Sequence, residues 1–137
     1  MKASVAVVLL AMAALAACTA SRHRDPAQLA GVELYERLCA SCHGATAHGD
    51  GQVASLIKGG VPVLTRLAQA AGGEFPTERV RRAIDGRWER RAHGLREMPV
   101  WGWQLYDSAA TDHDAEQARV AAMIDRLIGH LRSVQHP

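Results

Sequence analysis

The chain has 137 residues, enough for one domain, and 48% of them are hydrophobic although only 4% are aromatic. Sixteen Lys and Arg residues against fourteen Asp and Glu residues give a net charge of +2, which argues against a nucleic-acid binder that works by charge alone. The charged content of 22% is ordinary for a globular domain, and the odd number of three cysteines argues against a simple disulfide framework.

The first element is a targeting segment. Lys2 supplies a positive start, and the fifteen uncharged residues after it are fewer than the roughly 20 that a membrane-spanning helix needs. This run ends in Leu-Ala-Ala-Cys at 15–18, which resembles the lipobox of bacterial lipoproteins, where the signal is removed before a cysteine that becomes lipidated. The resemblance predicts a signal peptide over 1–17 and a membrane anchor on Cys18. The alternative is a secretory signal cut near Ala20, which would leave a soluble chain.

The domain is predicted over 25–137, after a small and polar tether at 18–24. Its first helix is predicted to begin at Asp25-Pro26, because Asp suits a helix N-cap and Pro suits the first helical position. An apolar stripe at helical spacing follows and consists of Val32, Tyr35, Leu38 and Cys39.

Three further helices are predicted, and no stretch alternates with a period of two, so the sequence predicts an all-α fold. Two short helices fit between glycines and prolines over 64–71 and 77–85, the second with Val80, Ala83 and Ile84 facing inward. The clearest helix is predicted over 112–134, where Thr111 and Asp114 resemble a capping box. Its apolar stripe consists of Val120, Met123, Ile124, Leu127, Ile128, Leu131 and Val134.

The chemistry is concentrated in Cys39-Ala40-Ser41-Cys42-His43, whose C-x-x-C-H spacing is the attachment signal of c-type haem. Two thiols three positions apart can reach the two vinyl groups of one haem, and the next histidine then lies beneath the iron as a ligand. Zinc and thioredoxin-like sites also use C-x-x-C, but they need a second ligand pair or a βαβ context, and the sequence has neither. Cys39 and Cys42 are therefore predicted to bind haem c covalently, and His43 to bind its iron.

The second iron ligand is predicted to be Met98, in a loop that Pro99 keeps from forming regular structure. Met123 fits the apolar stripe of the last helix and is interpreted as a core residue. His48 and His93 are rival ligands, since each lies in a loop flanked by glycine.

Arginines and tryptophans are concentrated near Met98. One interpretation of the arginines is an internally paired, solvated face; the other is propionate neutralisation by one or two of them beside a docking patch for an acidic partner. These arginines are Arg79, Arg81, Arg82, Arg87, Arg90, Arg91 and Arg96. The tryptophans predicted to line the haem are Trp88, Trp101 and Trp103, with Trp101 against the ring.

These pieces resemble a bacterial class I cytochrome c of the small monohaem type. The resemblance is carried by residues 31–44 around the haem signal, by Met-Pro-Val-Trp-Gly at 98–102 and by residues 127–132. It implies the cytochrome c fold, in which the first and last helices cross at Gly31 and Tyr35 and short helices and loops surround one haem.

The sequence departs from this family pattern at two positions. His130 stands where the family usually has an aromatic residue that packs against the first helix. Gln52 stands where relatives often have proline, which leaves Pro62 as a substitute acceptor for the Nδ1–H of His43.

The resemblance implies a one-electron carrier and not an enzyme, located in the periplasm and held to a membrane by its lipid, with His43 and Met98 as axial ligands. Its partners would be the donor and acceptor proteins of a respiratory or oxidoreductase chain. Two alternatives are a haem enzyme or gas-binding sensor with an open sixth position, and the electron-entry subunit of a larger oxidoreductase complex.

Overall fold

The computed structural model describes residues 25–87 and 98–136. Within these ranges the all-α prediction is confirmed, with no strand and six α-helices: α1 (Gly31–Leu38), α2 (Ala40–His43), α3 (Leu67–Ala70), α4 (Thr77–Asp85), α5 (Trp101–Gln104) and α6 (His113–Ser133). Short 3-10 turns occur at Pro26–Gln28, Ala54–Leu56 and Leu64–Arg66. The predicted signal peptide and tether, with Cys18, lie outside the described residues. None of the helices within the described ranges is long and apolar enough to span a bilayer.

The fold is organised by the crossing of α1 and α6. Gly31 lies at the crossing point, where a Cβ atom would overlap the backbone carbonyl of Arg126. One turn further, Tyr35 is 1% exposed, and its ring packs against the His130 imidazole with the ring centroids 5.0 Å apart. The tyrosine hydroxyl donates a hydrogen bond of 2.8 Å to the Gly44 carbonyl. The expected crossing at Gly31 and Tyr35 is therefore present, and His130 supplies the ring that packs there.

The apolar core lies between α1, α4 and α6. The predicted stripe of α6 is buried, except that Val134 at its end is only half-buried; the buried residues are Val120, Met123, Ile124, Leu127, Ile128 and Leu131. The stripe predicted for α1 is partly wrong, because Val32 is 45% exposed and Leu34 is buried instead. The face of α1 that meets α6 runs through Gly31, Leu34, Tyr35 and Leu38 at helical spacing.

The predicted first helix is divided into two pieces. Asp25 caps as expected and accepts a hydrogen bond of 2.9 Å from the Ala27 N–H, but only one 3-10 turn follows. Leu29 then leaves helical geometry with ψ at 144° and is buried in the core. α1 therefore begins at Gly31. The Glu33 carboxylate accepts a hydrogen bond of 2.9 Å from the backbone N–H of Ala30, the residue directly before the helix.

The later helices follow the predicted positions with two differences. α4 has the predicted bounds of 77–85, and its Val80 and Ile84 are buried while Ala83 is half-buried. The predicted helix over 64–71 begins as a 3-10 turn and becomes α-helical at Leu67. α6 is capped by Asp112, whose carboxylate accepts from the Ala115 N–H at 2.9 Å, and not by the predicted Thr111.

Candidate cofactor site

A cleft lies between the end of α1, α2, the following loop and the segment that leads into α5. The cleft has a volume of about 200 Å³ and opens to solvent on one side. Its lining is almost entirely apolar, apart from one imidazole and three sulfur atoms: Leu38, Cys39, Cys42, His43, Ile57, Gly60, Val61, Pro62, Met98, Pro99 and Trp101. Such a lining fits a large apolar group that carries a metal with nitrogen and sulfur ligands.

The C-x-x-C-H motif reaches the cleft through the break between α1 and α2. Cys39 ends α1 with φ at −120°, and its N–H donates to the Tyr35 carbonyl at 2.9 Å. The single turn of α2 then brings Cys42 and His43 to the same cleft. Both thiols are half-buried and do not form a disulfide with each other, so both sulfur atoms remain available to a third group.

Burial favours the uncharged forms of these groups. Burial, with a smaller contribution from Cys42, raises the pKa of Cys39 to about 12, whereas a thioredoxin-like site needs a lowered thiol pKa. Burial also lowers the pKa of His43, although its contact with Pro62 opposes this effect. Neutral imidazole is the form that binds a metal ion. Within the described ranges, no group of three or more His, Cys, Asp or Glu residues could hold a metal ion by itself.

The orientation of His43 is set by the loop that carries Pro62. The Nδ1 atom of His43 lies 3.4 Å from the Pro62 carbonyl oxygen, the substitute acceptor that the sequence suggested. With the proton on Nδ1, the lone pair that can bind a metal is on Nε2. Directly after the histidine, Gly44 has a φ of 79°, and a Cβ atom there would overlap the Asp50 carboxylate. This turn lets the loop return toward the imidazole.

The segment before α5 supplies the remaining wall. Met98 and Trp101 are both half-buried, and they line the cleft together with Pro99. Met98 therefore shares one cleft with the two cysteines and the histidine. Met123, in contrast, is fully buried in the core, and its sulfur lies 3.3 Å from Nη1 of Arg119, which confirms its interpretation as a core residue.

Other predicted site residues do not reach the cleft or fall outside the described ranges. Trp103 is 61% exposed and does not line the cleft, so its predicted place against the haem is wrong. Two positions on a helix differ by about 200° in direction, so Trp101 and Trp103 cannot both face the cleft from α5. His48 is exposed, with its Nδ1 atom 3.1 Å from Oγ1 of Thr46. The residues outside the described ranges are Trp88, Arg90, Arg91, His93 and Arg96.

Two of the arginines that the structure describes form the pairs expected from the internally paired interpretation. Arg81 contacts the Asp125 carboxylate and lies 3.7 Å from Glu78. Arg87 forms an ion pair of 2.7 Å with Asp85. Arg81 and Arg87 were both considered as partners of the haem propionates or of an acidic protein, and both are paired with carboxylates of this chain.

Two lining residues were not identified from the sequence, namely Ile57 and Val61. They lie in a glycine-rich loop without hydrophobic periodicity, where Gly59, Gly60 and Pro62 indicate a loop but not which side chains face the cleft. The loop is placed by contacts distant in sequence, such as the 2.8 Å hydrogen bond from the Leu64 N–H to the Ala47 carbonyl.

Comparison with protein families gives a match to the Cytochrome c family over residues 28–124, a range that includes every lining residue of the cleft. The chain belongs to the cytochrome c family. Its cofactor is therefore covalently bound haem c with iron, and its helices form the cytochrome c fold. As a family member it is a haem-binding electron carrier that exchanges electrons with redox partners. Comparisons with curated proteins and with solved structures gave no significant match.

Proposed function

We propose that this cytochrome c is an exported one-electron carrier with a closed iron site. In this proposal Cys39 and Cys42 form the thioethers, His43 is the proximal iron ligand and Met98 is the distal one. The observation that carries the proposal is that all four side chains line one apolar cleft. When bound, the haem supplies one-electron exchange between Fe(II) and Fe(III).

Each of these residues has a separate task. The two cysteines fix the group covalently, and the Pro62 carbonyl orients the His43 ring so that Nε2 carries the lone pair. The Met98 thioether is a soft and neutral ligand that favours the reduced state and so raises the reduction potential. Apolar neighbours such as Leu38, which lines the cleft, keep water away.

The proposal of a carrier, and not of a haem enzyme or gas-binding sensor, depends on Met98. A methionine at the distal position leaves no open coordination site for a substrate or a gas. Partners are then the proteins that donate and accept single electrons, whether the chain is a free shuttle or a subunit of a larger complex.

The distal ligand can be tested with a matched pair of methionine variants. Met98→Ala should remove the weak long-wavelength sulfur-to-iron band of the oxidised protein, lower the potential and let carbon monoxide bind the reduced form. Met123→Leu is the control, because it removes a methionine from the core and should cost less than about 1.5 kcal/mol of unfolding free energy. If the Met98 variant keeps the band and the potential, another residue binds the iron, and His93→Ala is the next variant.

Export and anchoring form a separate part of the proposal, supported by the sequence of residues 1–18. We propose that residues 1–17 are a signal peptide and that lipid on Cys18 holds the protein to a membrane in the periplasm. Cys18→Ser should convert a protein that needs detergent into a soluble one, or should block its processing. Wild-type protein that partitions fully into the aqueous phase would contradict the anchor.

A further inference from the structure

An ion pair between a buried aspartate and a half-buried arginine lies beside the segment that carries Met98. α4 ends at Asp85, and Gly86 follows with a φ of 69°, so that Arg87 folds back onto the aspartate. The Nε and Nη2 atoms of Arg87 each donate to one carboxylate oxygen at 2.7 Å, and the Arg87 backbone N–H donates at 3.2 Å. We name this pair the Asp85–Arg87 clasp. Asp85 is 7% exposed, and its hydrogen bonds with Arg87 lower its pKa, so the clasp keeps both charges.

α5 lies directly against this clasp. Gly102, the second residue of α5, is buried, and a Cβ atom there would lie 2.5 Å from Oδ1 of Asp85 and 2.8 Å from Cδ of Arg87. At the next position, the Trp103 ring lies beneath the Arg87 guanidinium, with 5.6 Å from Cζ to the ring centroid. Only a glycine permits this close approach, so the clasp determines where α5 can lie.

The contact at Gly102 is transmitted to Met98 by a short and stiff segment. α5 begins at Trp101, which lines the cleft, and Met98 precedes it by three residues. Pro99 has a fixed φ and disfavours helical backbone at the residue before it. A displacement of α5 away from the clasp would therefore move Met98 as well.

We propose that the Asp85–Arg87 clasp positions Met98 and thereby sets how readily the thioether leaves the iron. The proposal rests on the proposed ligation by Met98. The pair does not line the cleft, so it is a positioning element that acts through α5. A thioether is a neutral ligand without charge attraction to the iron, and its binding therefore depends strongly on where the backbone holds it.

The test compares Asp85→Asn with Asp125→Asn in the full-length holoprotein. Both variants remove a carboxylate that pairs with an arginine, but Asp125 pairs with Arg81 and not with Arg87. The probe is imidazole, added to the oxidised protein while the long-wavelength sulfur-to-iron band is followed. The Asp85 variant should bind imidazole with an association constant roughly tenfold higher or more, because a half-buried arginine without its carboxylate partner disturbs the contact with α5. The Asp125 variant should stay close to wild type.

Two further variants keep the test decisive if Asp85→Asn does not fold. Arg87→Lys retains the charge but loses the bidentate geometry, and Gly102→Ala pushes α5 away from the clasp. Both should raise the affinity for imidazole and weaken the band. If they fold and bind imidazole as the wild type does, the clasp has only a structural role and the inference is wrong.

The Met98→Ala variant separates this inference from the proposed function. If that variant keeps the sulfur-to-iron band, the ligation by Met98 is itself wrong. If it loses the band while the clasp variants keep wild-type affinity for imidazole, ligation by Met98 stands and only the positioning role of the clasp fails.

Discussion

The helix crossing and the cofactor cleft are held together in different ways. At the crossing of α1 and α6, apolar side chains are almost completely buried, and Leu34, Tyr35 and Ile124 are each 1% exposed. The cleft is built from two one-turn helices and loops, and its lining side chains are half-buried or exposed. Polar contacts such as the Asp85–Arg87 clasp fix the segments around it.

This difference indicates which part of the domain depends on the cofactor. The crossing packs the chain's own side chains against each other, whereas the cleft presents an apolar surface that the haem can cover. One Phe, two Tyr and three Trp residues are few large side chains for a domain of this size. The cofactor therefore completes the second half of the core.

Removal of both attachment cysteines should have the largest effect. The variant Cys39→Ala/Cys42→Ala would lose the covalent attachment of the haem in the cleft, so little folded protein is expected. The yield and the far-ultraviolet circular dichroism measure this loss. In the wild type the haem should stay with the polypeptide during acid-acetone extraction. Wild-type haem in the organic phase would contradict covalent attachment, and a double variant with wild-type helicity and thermal midpoint would contradict the dependence on the cofactor.

A glycine substitution at the crossing should have an intermediate effect confined to stability. Gly31→Ala places a methyl group against the Arg126 carbonyl and should lower the free energy of unfolding by about 1–3 kcal/mol in urea titrations. Gly129→Ala is the control on α6, where a Cβ atom meets no neighbour within 4 Å, and it should raise stability by about 0.5–1 kcal/mol. The sulfur-to-iron band should remain in both variants. Equal gains in stability from the two substitutions would contradict the close approach of the helices.

A smaller effect is expected at low pH, where the loop after α5 should lose the stabilisation that Glu116 provides. Glu116 accepts hydrogen bonds of 2.6 and 2.7 Å from Arg119 and one of 2.7 Å from the Asp107 N–H, which lower its pKa from 4.5 to about 2. Because the folded pKa is the lower one, this stabilisation is present above about pH 4.5 and disappears as the pH falls toward about 2. As the pH falls through that window, the midpoint temperature of thermal unfolding should therefore decrease less steeply for Glu116→Gln than for the wild type. Identical slopes for variant and wild type would show that this carboxylate does not contribute.

Local patterns in the sequence were sufficient for the elements that depend on neighbouring residues. The bounds of α4 were predicted because Pro76 and Gly86 stand directly outside the helix. The motif at Cys39 and Cys42 predicted the haem because few other sites combine that spacing with a following histidine. Met98 was selected by residue type and loop position, and the structure brings it to the same cleft.

Features that depend on distant contacts were not predictable in the same way. Leu34 replaces Val32 in the core because Gly31 contacts α6 at Arg126, and this contact fixes which face of α1 is inward. Trp103 was expected in the cleft from its residue type alone. The clasp determines the position of α5, and Trp103 lies on the outer side beneath Arg87.

The most direct test of the central claim, a closed one-electron site, is the addition of carbon monoxide to the reduced wild-type holoprotein. With His43 and Met98 both on the iron, the absorption spectrum should remain unchanged. A shift of the spectrum in the wild type would mean an open or weakly held distal position. That result would contradict the carrier account and favour a haem enzyme or a gas-binding sensor.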